Sequence, residues 1–586
     1  MNVIGNMVPG AELRPRFHAL LERWDATPRQ GLPQLAGGQA AFLWRSTDEA
    51  FASLHVATEA ELRRAWGVHQ RHSCATTPPG VRIPAPPDTV VRGFSISPDG
   101  TRIAALLSTP QSELAEVYVL APKADPLHVP GASAWYAPPL WDADGTGLWI
   151  LNGKPPLQKI GHFAVGSGLT AELPFPKDLG ATTGCRLSLT HTEGLLHLTA
   201  KRPAGDNRTW ELAAGDWRVS TTTATASRLA VVSEDDGDRL MLDGLPVHRL
   251  SPAECVQSFA VHERGDSKVL WLQTASPERP SGVFCVEIPA DTQALDTPDV
   301  THMPMPIVHR RLKALASDGV EIPLIVSVRA ADLGRDGKPL RPLPLILTCY
   351  GGFGVKHKTE AEPSVPAWLE SGGVYVAAQL RGGGELGAAW HEAGRGSRKM
   401  RTVQDLIDVA HYLAGSGWSS PDQIVSFGAS HGGLVVSAAA LFSPASFGGV
   451  VAVAPLLDTV DLHRHGLGPQ WLHEFGADGE CSEEQRAAYS PVHLLERPET
   501  NAATLPPVLC CLLEQDERVD NSAAVGFVAG IRERGGRAWL LREDDGGHGQ
   551  RASMDVLAFS SAVLAFAGSV ASRDGKYEGA GGNSRG

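Results

Sequence analysis

The run GASHGG at 428–433 sets a serine in a turn of small residues. An apolar strand-like stretch, IVSF at 424–427, precedes it, and an alanine-rich helical stretch, LVVSAAALF at 434–442, follows. Strand, tight turn and helix are the context a nucleophile elbow requires. Small residues at 428, 432 and 433 let the backbone turn sharply and let the helix pack close, lifting the Ser430 hydroxyl above the sheet edge. A serine hydroxyl is a weak nucleophile until a base takes its proton.

Where an elbow of this kind serves hydrolysis, the acid and base follow in the order Ser, Asp, His. The apolar run VLCCLLEQ ends at Asp516, and an acid just past the end of a buried strand is placed to orient an imidazole. Glu514, Glu517 and Asp520 are the alternatives nearby. A further strand-like run, 538–542, leads into DDGGHG, where glycines flank His548 and let a loop carry its ring to the elbow. The tetrahedral intermediate of acyl transfer needs oxyanion donors, and the backbone N–H of His431, next after the nucleophile, is the first expected.

The elements that must position these residues change character along the chain. From 304 onward, strands at 308–329 (two, around a Ser-Asp-Gly turn), 343–350, 373–380, 424–427, 450–454 and 508–514 alternate with helices at 402–413 and 434–442. That alternation means an α/β domain on a doubly wound, mostly parallel sheet. From 35 to 303, short β-branched runs alternate with polar turns. The turn acids Asp48, Asp99, Asp144, Glu193, Asp236 and Asp266 lie 51, 45, 49, 43 and 30 residues apart. A repeat of roughly 40–50 residues built from short strands is the mark of a β-propeller, here of six or seven short blades. A β-sandwich with coincidental spacing is the alternative. The stretch FHALLERW at 17–24 reads as one amphipathic helix, and the glycine-rich end from 576 as a disordered tail.

Composition bounds the partners. Over 586 residues the formal net charge is −13, which disfavours nucleic acid or an anionic membrane. No apolar run approaches a membrane span. The first residues carry no basic region followed by an apolar one, so a cytoplasmic protein is expected. The eight cysteines form no CxxC pair and read as reduced, buried small hydrophobes, with no spacing for zinc.

In order, YGGF at 350–353, RGGGELG at 381–387 with Trp390-His391, GASHGG, Asp516 to Val519, and GHG at 547–549 resemble the prolyl oligopeptidase family of serine peptidases. The resemblance covers nearly all of the region after 304. It implies an α/β-hydrolase domain (304–575) capped by the all-β propeller (35–303), with residues 1–34 packing on the hydrolase. It also implies that Tyr350 supplies the second oxyanion donor and that Arg518 binds a peptide carbonyl on the N-terminal side of the scissile bond. Trp471 falls on the tryptophan that stacks on the substrate proline. Phe353, Phe475 and Val519 fall on other apolar walls of that slot. One departure is His431, where prolyl endopeptidases usually carry Asn; it stands to alter the pocket rim or to add a second titrating group.

The expected function is therefore a serine endopeptidase acting on short proline-containing peptides, without metal or organic cofactor and as a monomer. The rivals are a related hydrolase, such as an acylaminoacyl or basic-residue peptidase or an esterase, and a non-catalytic propeller scaffold.

Overall fold

The computed structural model describes residues 3–4, 8–66, 77–155, 157–177, 179, 186–192, 195–201, 208–213, 216–220, 229–234, 237–250, 253–264, 267–277, 279–288, 305–357, 362–544, 547–548 and 553–572. The tail from 576, Cys74, Cys185 and the turn acids Glu193, Asp236 and Asp266 lie outside these.

The C-terminal half is built on one nine-stranded sheet. Its spatial order is Val3–Ile4, Ala538–Glu543, Val508–Leu513, Gly449–Val453, Ile424–Ala429, Leu345–Cys349, Val374–Ala378, Glu321–Arg329 and Ile307–Leu315. The six central strands, from Ala538–Glu543 to Val374–Ala378, pair in parallel. Leu345–Cys349, Gly449–Val453 and Val508–Leu513 are buried along their whole length, as strands covered by helices on both faces must be. The chain leaves Leu345–Cys349 toward Val374–Ala378 on one side and returns to Ile424–Ala429 on the other. That reversal opens a crevice at the carboxyl ends of two neighbouring strands, where ligands of such sheets bind. Tyr350 and Ser430 are the residues that follow those two strands.

The helix His431–Phe442 is buried almost all round against the sheet. On the other face lies the helix Ser553–Val570, in one core with Phe17, Leu21, Trp368 and Leu541. The amphipathic stretch expected at 17–24 is the helix Arg14–Asp25. It packs along Ser553–Val570 and stacks Phe17 on Trp368 with ring centroids 6.3 Å apart.

Between residues 29 and 288 the described strands form six antiparallel sheets, starting with the one that holds Arg29–Gln30 and ending with Cys255–Arg264, Ser267–Ser276 and Arg279–Ile288. The described turn acids Asp48, Asp99 and Asp144 each fall between two paired strands of one sheet. Asp99 shows why an acid belongs there. Its carboxylate accepts bonds from Ser97, Thr101 and the Thr101 N–H, and these hold it down to about 2. The ring closes on itself. Phe42 and Trp66 of the first blade share a core with Trp271 and Cys285 of the last, and the Gln30 side chain accepts a bond from the Val283 N–H. This is a short-bladed propeller set on an α/β-hydrolase sheet, as the sequence led us to expect.

Five of the six cysteines among the described residues are buried. No helix among them is long and apolar enough to cross a membrane.

Phe17 is fully buried where the N-terminal helix meets the hydrolase. Phe17→Ala is expected to destabilise the protein by about 3–5 kcal/mol through the cavity it leaves. Denaturant unfolding followed by tryptophan fluorescence measures this, and a loss below about 1 kcal/mol would mean the helix is only loosely docked.

Candidate active site

Ser430 stands between the strand Ile424–Ala429 and the helix His431–Phe442 with φ 53° and ψ −116°. A side chain rarely adopts such a backbone, and its surroundings have to impose it. A Cβ at Gly428 would lie 2.2 Å from the Gly432 carbonyl oxygen, and one at Gly432 would lie 2.5 Å from that of Cys349. The turn therefore closes only without side chains at those positions. Its backbone is held on both sides: Ser430 N–H donates to the Val453 carbonyl at 2.8 Å, and the Ser430 carbonyl accepts from Leu456 at 3.1 Å.

Asp516 lies in the turn after Val508–Leu513 with its side chain fully buried. His548 Nδ1–H donates to its Oδ2 at 2.7 Å, and the N–H groups of Arg518 and Val519 donate to Oδ1 at 2.8 and 3.0 Å. Burial works against ionising Asp516. The bonds from His548 and the two amides outweigh it and hold the carboxyl below its ordinary range. With Nδ1 committed to Asp516, Nε2 is the ring nitrogen left to exchange protons.

Burial pushes the Tyr350 hydroxyl up to about 12, with the Glu474 carboxylate adding to the effect; Arg518 and hydrogen bonding with Ser430 act the other way. Tyr350 thus keeps its proton at neutral pH beside the serine.

The aromatic residues gather next to it. Phe353 lies 6.3 Å from Trp471 and 6.0 Å from Phe475, ring centroid to centroid, at steep interplanar angles. Phe353 itself has φ 58°, a strained setting for a bulky residue. Val519 is buried, and Phe475 is fully so.

His431 is wedged against this cluster, 5.6 Å from the Tyr350 and Phe353 rings and 6.0 Å from Phe475. Its Nδ1–H donates to the Tyr350 carbonyl at 2.7 Å. Burial, reinforced by the Lys399 charge, lowers its pKa to about 3. His431 is therefore a neutral packing ring and adds no second titration near neutrality. The possibility that it titrates is corrected by its complete burial.

Arg518 has a partner that sequence reasoning missed. Its guanidinium pairs with both carboxylate oxygens of Glu113, a buried propeller residue, through Nη2 and, at 2.9 Å, through Nε. Tyr136 lies 5.7 Å from the guanidinium, and Lys154 reaches Glu517 at 3.4 Å. A Cβ at Gly547, next to His548, would stand 3.2 Å from the Gln111 carbonyl oxygen. Propeller loops thus touch both the Asp516 turn and the His548 loop. Nothing local in the sequence marks Glu113, which is 405 positions from Arg518. Arg381 is a brace: it is buried and bonded to Asp405 and Asp318.

The elbow makes the next prediction. Gly432→Ala forces the turn open against backbone, and a misplacement on the order of 1 Å is worth about 10²-fold in rate. Labelling of Ser430 by a fluorophosphonate is expected to slow by about that factor while circular dichroism stays unchanged. Unchanged labelling would show that the turn tolerates the methyl group.

Comparison with known proteins agrees with this geometry. Residues 361–573 match the prolyl oligopeptidase family. A prolyl endopeptidase of Elizabethkingia meningoseptica is 29% identical over 287 residues, 47% of this chain and 39% of the relative. The matched stretch therefore spans well under half of that protein's length. Among solved structures, prolyl oligopeptidase B from Galerina marginata superposes with a TM-score of 0.75 at 17% identity, covering 96% of this chain and 91% of that one. Oligopeptidase B from Leishmania major gives 0.69 at 17% identity, covering 95% and 89%. The fold, the elbow in its sheet and the family match converge: residues 361–573 match the prolyl oligopeptidase family, and the chain shares its fold with solved members of that family.

Proposed function

We propose that the protein is a serine endopeptidase that hydrolyses short peptides on the carboxyl side of proline. The observation that carries this reading is the aromatic cluster of Phe353, Phe475 and Trp471 beside the Ser430 elbow. A pyrrolidine ring has no N–H to satisfy, and a flat apolar slot suits it.

In this mechanism Ser430 Oγ attacks the carbonyl carbon while His548 Nε2 accepts its proton. The C–N bond then breaks as His548 returns the proton to the leaving nitrogen. Water repeats the cycle on the acyl-enzyme. Asp516 fixes the imidazole tautomer and stabilises the imidazolium. The Tyr350 hydroxyl and the His431 N–H receive the oxyanion. Arg518 takes a peptide carbonyl on the N-terminal side of the scissile bond, and Val519 completes the slot. The triad needs only groups of the protein itself. The propeller covers the mouth and admits short, unfolded chains; buried cysteines fit a cytoplasmic setting.

Cleavage after basic residues is the second reading. Glu474 is the acid adjoining the slot, and it is buried and already paired with Lys399 and His391. It has no free charge to offer a P1 cation, and an apolar slot penalises one. A peptide library with mass-spectrometric readout separates the two: cleavage after proline is expected, and a preference for Arg or Lys would overturn the proposal.

Ser430→Ala is expected to lower kcat on the order of 10⁶-fold, as in other serine triads, with the fold intact. Residual activity above one per cent would refute the nucleophile. The base must be neutral to accept a proton, so activity should fall as the medium is made acidic. Because His431 stays neutral down to about 3, the acid limb should follow a single titration; a flat profile to pH 4.5 would contradict a histidine base.

Trp471→Ala should reduce kcat/KM for P1 proline about 30–150-fold, or about 2–3 kcal/mol from lost stacking and burial. P1 alanine should lose less. Equal losses would make Trp471 a structural anchor instead.

A further inference from the structure

The segment that carries Trp471 and Phe475 has little regular structure, only the 3₁₀ turn Leu462–Arg464 and the single helical turn Gly468–Trp471. Its aromatic rings need some other fixture. Glu474, one residue before Phe475, turns its carboxylate into the protein, where it is nearly fully buried. Lys399 Nζ donates to Oε1 at 2.5 Å and His391 Nε2 to Oε2 at 2.8 Å; both donors are fully buried. The backbone is fastened to the same stretch: Gly396 N–H donates to the Glu474 carbonyl at 3.0 Å, and Arg395 Nη1 to the His473 carbonyl at 2.7 Å.

The fastening reaches the slot through Phe475. Lys399 Nζ stands 5.7 Å from the centroid of that ring, and Phe353 and His431 pack on it. A buried ion pair is a poor device for stability, because desolvation consumes most of its attraction. It is a good device for direction, because charge-assisted bonds are short and tolerate little sliding. Apolar packing alone would let an irregular loop shift along its neighbours.

We propose that Glu474, held by Lys399 and His391, is a positioning residue for substrate specificity: it sets where Phe475 and Trp471 stand and so the width of the P1 slot. This inference rests on the reading of that slot given above. It differs from that reading in that it concerns whichever P1 residue the enzyme prefers.

The test measures kcat/KM for the wild type's own best P1 residue and for P1 glycine, with active enzyme counted by fluorophosphonate titration. Glycine has no side chain to fill the slot, so a general loss of folded enzyme or of triad geometry moves both substrates together. In Glu474→Gln the ratio of the two is expected to fall at least tenfold, mainly through KM. The double variant Lys399→Met with Glu474→Gln leaves no unpaired buried charge, so the ratio should stay low in it through loss of the fastening; recovery to the wild-type ratio would assign the effect to a stranded Lys399 and overturn the proposal. A ratio held within twofold in folded Glu474→Gln overturns the proposal. Should that variant fail to fold, His391→Gln removes one of the two bonds, and a threefold fall in the ratio is expected; no change would overturn the proposal equally. If the best P1 residue of the wild type is not proline, the proline reading fails while the ratio still reports on Glu474.

Discussion

The candidate site depends on one backbone conformation. Ser430 sits at φ 53° and ψ −116°, a setting that costs a non-glycine residue on the order of 1–3 kcal/mol. It persists because the surroundings leave no alternative. Strand Ile424–Ala429 is locked between two parallel neighbours, the following helix is buried, and the turn itself is tied to Val453 and Leu456. The glycines at 428 and 432 are the steric condition for this, since any side chain there meets a carbonyl oxygen. The strain places the hydroxyl at the sheet's switch point, next to the residue that follows the neighbouring strand, Tyr350. Fold and site are therefore coupled through a single register: Thr348 opposite Phe427 sets how far apart the two strand ends stand.

What the sequence revealed and what it hid follow from the range of the interactions. The elbow is local, so six adjacent residues and their flanks sufficed. Asp516 and His548 lie 32 positions apart and were legible because each follows an apolar strand. The blades around Asp99 and Asp144 were legible through their turns, because a turn carboxylate bonded to its own neighbours is a local motif. The helix Ser553–Val570 escaped because it has no clear polar face. A helix that is apolar nearly all round is buried on every side, and here part of the cover comes from Arg14–Asp25, more than 500 residues upstream. Nor could the sequence show that His431 is neutral: histidine in a glycine-rich turn reads as exposed, and only the rings of Tyr350, Phe353 and Phe475 around it decide otherwise.

The polar groups missed by sequence reasoning share a physical character. Glu113, Glu474, Lys399 and His391 are charged or titratable residues removed from water, and their partners are distant in the chain. Burial of such groups is tolerated only when each finds a hydrogen-bonding counterpart. An isolated sequence offers no means of pairing them, because a lone Glu or Lys reads as surface. The same property makes them informative once the fold is known. A protein that keeps a desolvated charge beside such an aromatic cluster gains little stability from it, so geometry is the better account of its presence.

The propeller's contacts extend this argument to the two loops of the hydrolase. Arg518 follows Asp516 by two residues and donates its own N–H to that carboxylate, while its guanidinium is gripped by Glu113. Lys154 binds Glu517 between them and lies 4.2 Å from the centre of the Trp135 ring. The turn that presents Asp516 to His548 is thus held from one side by its own amides and from the other by blades of the propeller. Gly547, pressed against Gln111, puts the loop that carries His548 under the same contact. A cap that served only as a sieve would need no bonds to the residues flanking Asp516. With these bonds, displacement of the propeller necessarily disturbs Arg518 and the turn it belongs to. The Arg518–Glu113 pair therefore ties the turn that carries Asp516 directly to the propeller.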